Sequence, residues 1–325
     1  MKQIFLSVVL LATAFCSCVA KEHISEGDHP IVYVTRDISP ESLIRIYKAL
    51  GRKAEGRVAV KISTGEKGNP NHLQPALIGD LVKMVNGKLV ECNTAYAGKR
   101  GTFEEHKAVV EEHGFNTIGG VDLMDEEGEF RIPCRDQTHL RYDIVGTHLR
   151  NYDFMINLAH FKGHPMGGLG GVLKNQSIGV ASANGKAYIH TAGYQAVLDG
   201  MWQHCNDQDG FLESMAAAAQ AVSDYFGQGE RILYISVLNN MTVDCDCVAK
   251  PAPVMVKDYG IMASLDPVAL DQACVDVVFG MEKTADSDPT HLQQRIESRH
   301  GTHTIEWAEK IGMGSRKYKL VSIDK

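Results

Sequence analysis

The stretch that most constrains this chain is Asp153–Gly179. Phe154 to Leu158 is apolar apart from Asn157 and is bounded by polar and glycine signals, which marks a short buried strand. Directly behind it stand His160, Lys162 and His164, then Gly167, Gly168, Gly170 and Gly171, then Lys174 and Asn175. With Gly163, five glycines are packed among imidazoles and ammonium groups. Glycine lets a backbone approach a ligand closely, and open α/β sheets bind ligands at the carboxyl ends of their strands. The segment is therefore expected to be a binding loop.

The rest of the chain supplies a sheet for it. Strands are expected at 31–35, 58–62, 89–92, 117–122, 130–133, 232–238 and 260–264, with an edge strand at 318–323. Helices are expected at 40–50, 73–85, 102–113, 210–226, 267–279 and 304–311. Thr102 with Glu105 is a capping-box pattern, and Asp266-Pro267 is a cap followed by the first helical residue. Residues 140–150 read ambiguously, helical near the end, and 186–201 read as mixed. Strands alternating with helices predict an α/β fold, a mostly parallel sheet with helices on both faces, in a single domain over 31–325.

Residues 1–20 read as a signal peptide: Lys2, an apolar core from Ile4 to Phe15, and a small-residue exit at Ser17 to Ala20. Cys18-Val19-Ala20 fits cleavage before Lys21, whereas Ser17-Cys18 fits a lipoprotein site, and the paired cysteines favour the second. The protein is expected to be exported to a bacterial periplasm or envelope, touching membrane only through a lipid on Cys18, with residues 21–30 as a tether. The net charge of −7 offers no basic field for nucleic acid. Six cysteines follow the signal segment (Cys92, Cys134, Cys205, Cys245, Cys247 and Cys274), and spacing alone leaves their disulfide state open.

Three groupings carry chemistry. His160 and His164 are four apart, but Gly163 and Pro165 argue against a helix, so any metal geometry must come from a loop. Cys245 and Cys247, one residue apart, can chelate one soft ion; with the two histidines they would complete a Cys2His2 set. The alternative is reduced cysteines packed at a strand end. The glycine run matches neither a P-loop nor a dinucleotide fingerprint, yet its amides with Lys162 or Lys174 could cradle an anion, as could Lys99 and Arg100 before the Thr102 cap. His300 and His303 read as part of a hydrated loop.

Several motifs carry a resemblance: Lys61-Ile62 with Gly65-Glu66, Tyr96 through Gly101, His160 through His164 with Gly170 through Asn175, Cys245-Asp246-Cys247, and Asp258 through Asp271. In this order they resemble domain-of-unknown-function family 362, whose members often carry iron–sulphur ferredoxin modules. Those modules place cysteine quartets near 202–209, where this chain has only Cys205, so no ferredoxin-type cluster is implied. The Gly-Gly-x-x-Lys segment is also similar to the nickel-pincer lactate racemase family. That similarity implies Lys174 as a cofactor tether and His160, His164 or His190 as metal ligand or acid/base pair.

The expectation is a site built from 160–175 and 244–247, with 96–101 as an anion contact. Its leading function is redox or metal handling on iron, zinc or nickel. The alternatives are a racemase or isomerase of a small anion, using His160 and His164 with Lys162, or a non-catalytic lipoprotein binding an anionic ligand.

Overall fold

The computed structural model describes residues 29–325, so the expected signal peptide, Cys18 and most of the tether lie outside the described residues. The chain begins β1 (Ile31–Thr35), α1 (Pro40–Ala49), β2 (Val58–Lys61), α2 (Pro75–Met84), β3 (Gly87–Glu91), α3 (Phe103–Glu112) and β4 (Val121–Leu123). A hairpin of β5 (Glu129–Pro133) and β6 (Tyr142–Gly146) precedes β7 (Phe154–His160). A second hairpin, β8 (Lys162–His164) and β9 (Gly168–Gly170), leads into α4 (Val172–Val180) and α5 (Ala183–His190). Then come α6 (Gln208–Tyr225), β10 (Ile232–Leu238), β11 (Gly260–Ser264), α7 (Pro267–Gly280), α8 (Thr290–Ser298), α9 (His303–Lys310) and β12 (Lys319–Ser322).

Eight strands form one sheet in the order β12-β1-β11-β10-β7-β2-β3-β4. Neighbours run parallel except where β11 pairs with β1 and β10. Side chains alternate across each strand. In β7, Phe154, Ile156 and Leu158 pack with Leu43 and Ile46 of α1 and Ile78 and Leu81 of α2. Met155 and Ala159 turn the other way, toward Leu173 of α4, Leu212 and Ala216 of α6 and Val268 of α7. All seven β7 residues are buried, as expected of a central strand covered on both faces. Each fully buried Leu, Ile or Phe contributes roughly 1.5–3 kcal/mol. The fold is α/β, as the alternation implied.

The caps hold this frame at its ends. Thr102 Oγ1 accepts the Glu105 amide at 3.3 Å, and Asp266 Oδ1 accepts the amides of Val268 and Ala269 at 2.8 and 2.9 Å. Three differences from the expected elements matter for the site. The central strand runs on to His160, so His160 is a strand residue. The expected loop is a β-hairpin, because Lys162, Gly163 and His164 pair with Gly170, Leu169 and Gly168. Lys174 and Asn175 sit in the first turn of α4. Elsewhere, 115–118 is a 3-10 turn before a shortened β4, and the ambiguous 140–150 segment is β6 followed by a 3-10 turn. Among the described residues no helix is long and apolar enough to cross a membrane.

Candidate functional site

A cavity of about 270 Å³ opens at the carboxyl ends of β2, β3 and β7, where Lys61, Glu91, Cys92, Ala159 and His160 line it. The loop after β3 from Thr94 to Arg100, the β8–β9 hairpin, the first turns of α4, α5, Trp202 and the segment after β10 complete its wall. The two sequence segments expected to meet do meet here, and glycine is the physical reason. Gly163 donates its amide to Thr242 O at 2.9 Å, and a Cβ on Gly163 would lie 1.9 Å from Val243 O. Only a residue without a side chain lets β8 lie so close to the strand of chain that leads to Cys245. Gly168 has a different role: its φ is +76°, and a Cβ there would lie 2.6 Å from Gly301 Cα.

The contact places His164, Cys245 and Cys247 together, with one donor atom from each mutually within 4.8 Å. Cys247 Sγ lies 4.0 Å from His164 Nε2. His164 Nδ1 accepts the amides of Met166 and Gly167 at 3.1 and 2.9 Å, so in the neutral ring the proton sits on Nε2 and faces the sulfurs. Burial lowers the His164 pKa to about 4, with Lys174 adding to the effect. Between the sulfurs, the Cys247 thiol holds the Cys245 thiol far below its ordinary value against the effect of burial, and His164 and Lys174 reinforce it. The Cys247 thiol is pushed up by the same hydrogen bond and by burial. All six cysteines described are free, which leaves both sulfurs open as ligands.

Asp246, between the cysteines, points the opposite way. Its fully buried carboxylate meets His160 Nδ1 at 2.9 Å and Lys162 Nζ at 2.8 Å. Burial alone would raise its pKa, but His160 and Lys162 overcome that and hold it well below the carboxylate range. Its backbone oxygen accepts the Glu66 amide at 2.7 Å. His160 Nε2 faces Asn239 O at 2.6 Å, so both ring nitrogens are in use and His160 stands outside the sulfur group. The expected Cys2His2 set is thus three donors, with His160 and Lys162 anchoring the turn that presents the thiols.

The glycine segment's amides are largely used inside the protein. Met166 and Gly167 donate to His164, and Val172 and Leu173 donate to the Asp271 carboxylate at 2.8 and 2.9 Å. An anion cradle of backbone amides is therefore not what this hairpin builds. Gly170 and Gly171 line the cavity, whereas Gly167 and Gly168 pack toward Met215 and Gly301. Asn175 ties α4 to the sheet through Asn157 Oδ1 at 2.7 Å and Lys61 O at 3.0 Å. Lys99 lies on the surface, paired with Glu105 at 2.6 Å. Arg100 reaches the cavity but is buried against Glu91 at 3.0 Å and Glu66 at 3.8 Å. His190 lines the cavity, donates Nδ1–H to Lys186 O at 2.7 Å and stacks on Phe211; burial lowers its pKa to about 3. The sequence reading did not single out Glu91, Lys186 or Trp202, which also line the cavity. The available signal for Glu91 is a charged residue directly after the apolar pair Leu89-Val90 and before Cys92.

The chain spans 90% of its own length and 83% of the partner's in a superposition on the lactate racemase apoprotein from Thermoanaerobacterium thermosaccharolyticum, with 13% identity and a TM-score of 0.40. A crystal structure of a Thermotoga maritima protein aligns with 83% of this chain and 58% of its own, at 11% identity and a TM-score of 0.36. No curated protein matches the sequence. The model for the family described as "Domain of unknown function (DUF362)" matches residues 58–276, more than half of the chain, and the protein belongs to that family.

Proposed function

We propose that this protein holds a soft or borderline transition-metal ion on Cys245, Cys247 and His164, for redox chemistry or metal handling. The supporting observation is the convergence of these three donor atoms within 4.8 Å at the wall of a cavity. The donor chemistry fits: two sulfurs and an imidazole suit iron, zinc or nickel, and no carboxylate in the set favours calcium or magnesium. Neutral His164 and the partly ionised thiol pair are near the protonation state that ligation requires. The reading also takes the protein to be exported by its N-terminal segment.

Proton transfer by paired histidines has less support. His160 has both ring nitrogens engaged by Asp246 and Asn239 O, Lys162 is paired with Asp246, and the imidazoles of His164 and His190, with pKa values lowered to about 4 and about 3, are weak proton acceptors at neutral pH.

The test is elemental analysis of anaerobically purified protein beside Cys245→Ser, Cys247→Ser and His164→Ala. Near-stoichiometric metal that disappears in the cysteine variants is the expected result. Ligation by both sulfurs as thiolates must displace the proton held by the thiol pair, whereas His164 ligates in its neutral form and releases none. Calorimetric titration in buffers of different ionisation enthalpy reads that release; Cys247→Ser is expected to lower it and His164→Ala to leave it unchanged. Metal-free preparations that also fail to take up added iron, zinc or nickel would refute the proposal.

A further inference from the structure

The cations around the cavity fall into two sets. Arg100 and Lys162 have their own counter-charges, on Glu91 and Asp246. Lys61, Lys174 and Lys186 do not: among the described residues, no carboxylate forms an ion pair with any of these three ammonium groups. Lys61 is fully buried and Lys186 is 5% exposed. Their partners are neutral. Lys61 Nζ donates to Ile62 O and to Asn175 Oδ1 at 3.1 Å, and Lys186 Nζ donates to Ala181 O at 2.6 Å. A buried ammonium with only neutral partners is strongly unfavourable.

These three lysines reach one cavity from β2, α4 and α5. The hydroxyl of Thr94, on the same wall, is buried without a hydrogen-bond partner. Counting Arg100 and Lys162 with these lysines, five cations at the cavity face three carboxylates, Glu66, Glu91 and Asp246, which leaves two positive charges unanswered. The rest of the wall is largely apolar, including Ile178, Met166 and Trp202, so the wall itself brings no further charge.

We propose that the cavity binds a small molecule carrying two or more negative charges on oxygen, with Lys61, Lys174 and Lys186 as its counter-ions. A short dicarboxylate and a phosphate group share that chemistry. The inference rests on the proposed function in that metal and anion occupy one cavity, the anion lying on the lysine side. Lys61 and Lys186 gain the counter-charge they lack, and the anion is chosen by charge number more than by shape.

The test is calorimetric titration and thermal unfolding of the purified protein with inorganic phosphate, oxalate and malonate, against acetate at equal ionic strength. The dianions are expected to bind saturably and raise the melting temperature, and acetate is expected to do neither. Lys61→Met and Lys174→Met should each weaken dianion binding by at least roughly tenfold. Lys61→Met should also raise the melting temperature of the ligand-free protein, because it removes an unpaired buried charge; a lysine with a purely structural role would show the opposite. Tighter binding of phosphate or of malonate assigns which of the two chemistries the cavity prefers. If Lys61→Met does not fold, Lys186→Met serves in its place. Dianion binding retained in Cys245→Ser separates this inference from the metal reading, since that variant lacks a ligand sulfur. Equal binding of acetate and the dianions, or unchanged affinity in the lysine variants, would overturn the proposal.

Discussion

Asp246 shows how one residue can organise two faces of a turn. Its neighbours present sulfur to the cavity while its own carboxylate is locked between His160 and Lys162 behind them. Asp246→Asn removes the negative charge from a fully buried cluster and leaves Lys162 uncompensated. A loss of about 3–5 kcal/mol is expected, read from urea denaturation of the metal-free protein. A change below 1 kcal/mol would mean that the turn does not depend on this ion pair. The Cys-Asp-Cys motif was visible in the sequence; the direction in which the aspartate points was not, because it depends on a strand end more than eighty residues earlier. Lys61 was equally hidden. In sequence it is one charge at the end of an apolar strand, and its isolation from carboxylates exists only once β2 lies beside β7 and under α4.

At the scale of elements, long or well-capped segments were legible. Ile232–Leu238 and Gly260–Ser264 form as expected, and Asp266-Pro267 starts α7. The sequence predicts a loop where the β8–β9 hairpin forms, because three-residue strands rich in glycine and charge have no apolar alternation to detect. Helix α8 was missed because only Leu292 and Ile296 are buried, one turn apart on an otherwise polar helix. The hairpin is nevertheless the element that assembles the site. Gly163→Ala forces its Cβ against the Val243 carbonyl and should cost about 1–3 kcal/mol while weakening metal uptake, since the cysteine segment must move away. Gly170→Ala is the control: its Cβ meets the flexible Lys162 side chain at 3.3 Å and the Lys162 carbonyl at an ordinary 3.9 Å, and metal uptake should be close to that of the unaltered protein. Equal metal uptake in both variants would show that the close approach at Gly163 is not what joins the two segments.

For the whole molecule, the alternation of strands and helices correctly implied a mostly parallel sheet covered on both sides, but not the reversed strand β11 within it. Global stability should carry the mark of the buried cavity groups. His190 has its pKa lowered by burial from 6.5 to about 3, so between those values the unfolded chain binds a proton that the folded protein does not. Stability is therefore lost as pH falls through that window and is unaffected above it. Lys61 is lowered by burial from 10.5 to about 8, so the ligand-free protein gains stability as pH rises from 8 toward 10.5. Urea midpoints at pH 5, 7.5 and 10 should show both slopes, the first reduced in His190→Gln and the second in Lys61→Met. Identical slopes in these variants would assign the pH dependence to other groups.

The sheet order also sets a timetable. Among the described residues, β1 bonds only to β11 and β12, so this strand finds its partners far along the chain, at residues 260–264 and 319–322. Asp324, next to the last residue, accepts from Thr35 and from the Arg36 amide. Until residues 260–264 are available, Ile31–Thr35 lacks its β11 neighbour, and until residues 319–322 are available its other edge stays open. Loop-closure entropy makes such long-range pairing slow. A growing chain with this connectivity keeps the β1 edge open until residues 260–264 have been made, and over that interval the unpaired strand is a surface that a holding chaperone can engage.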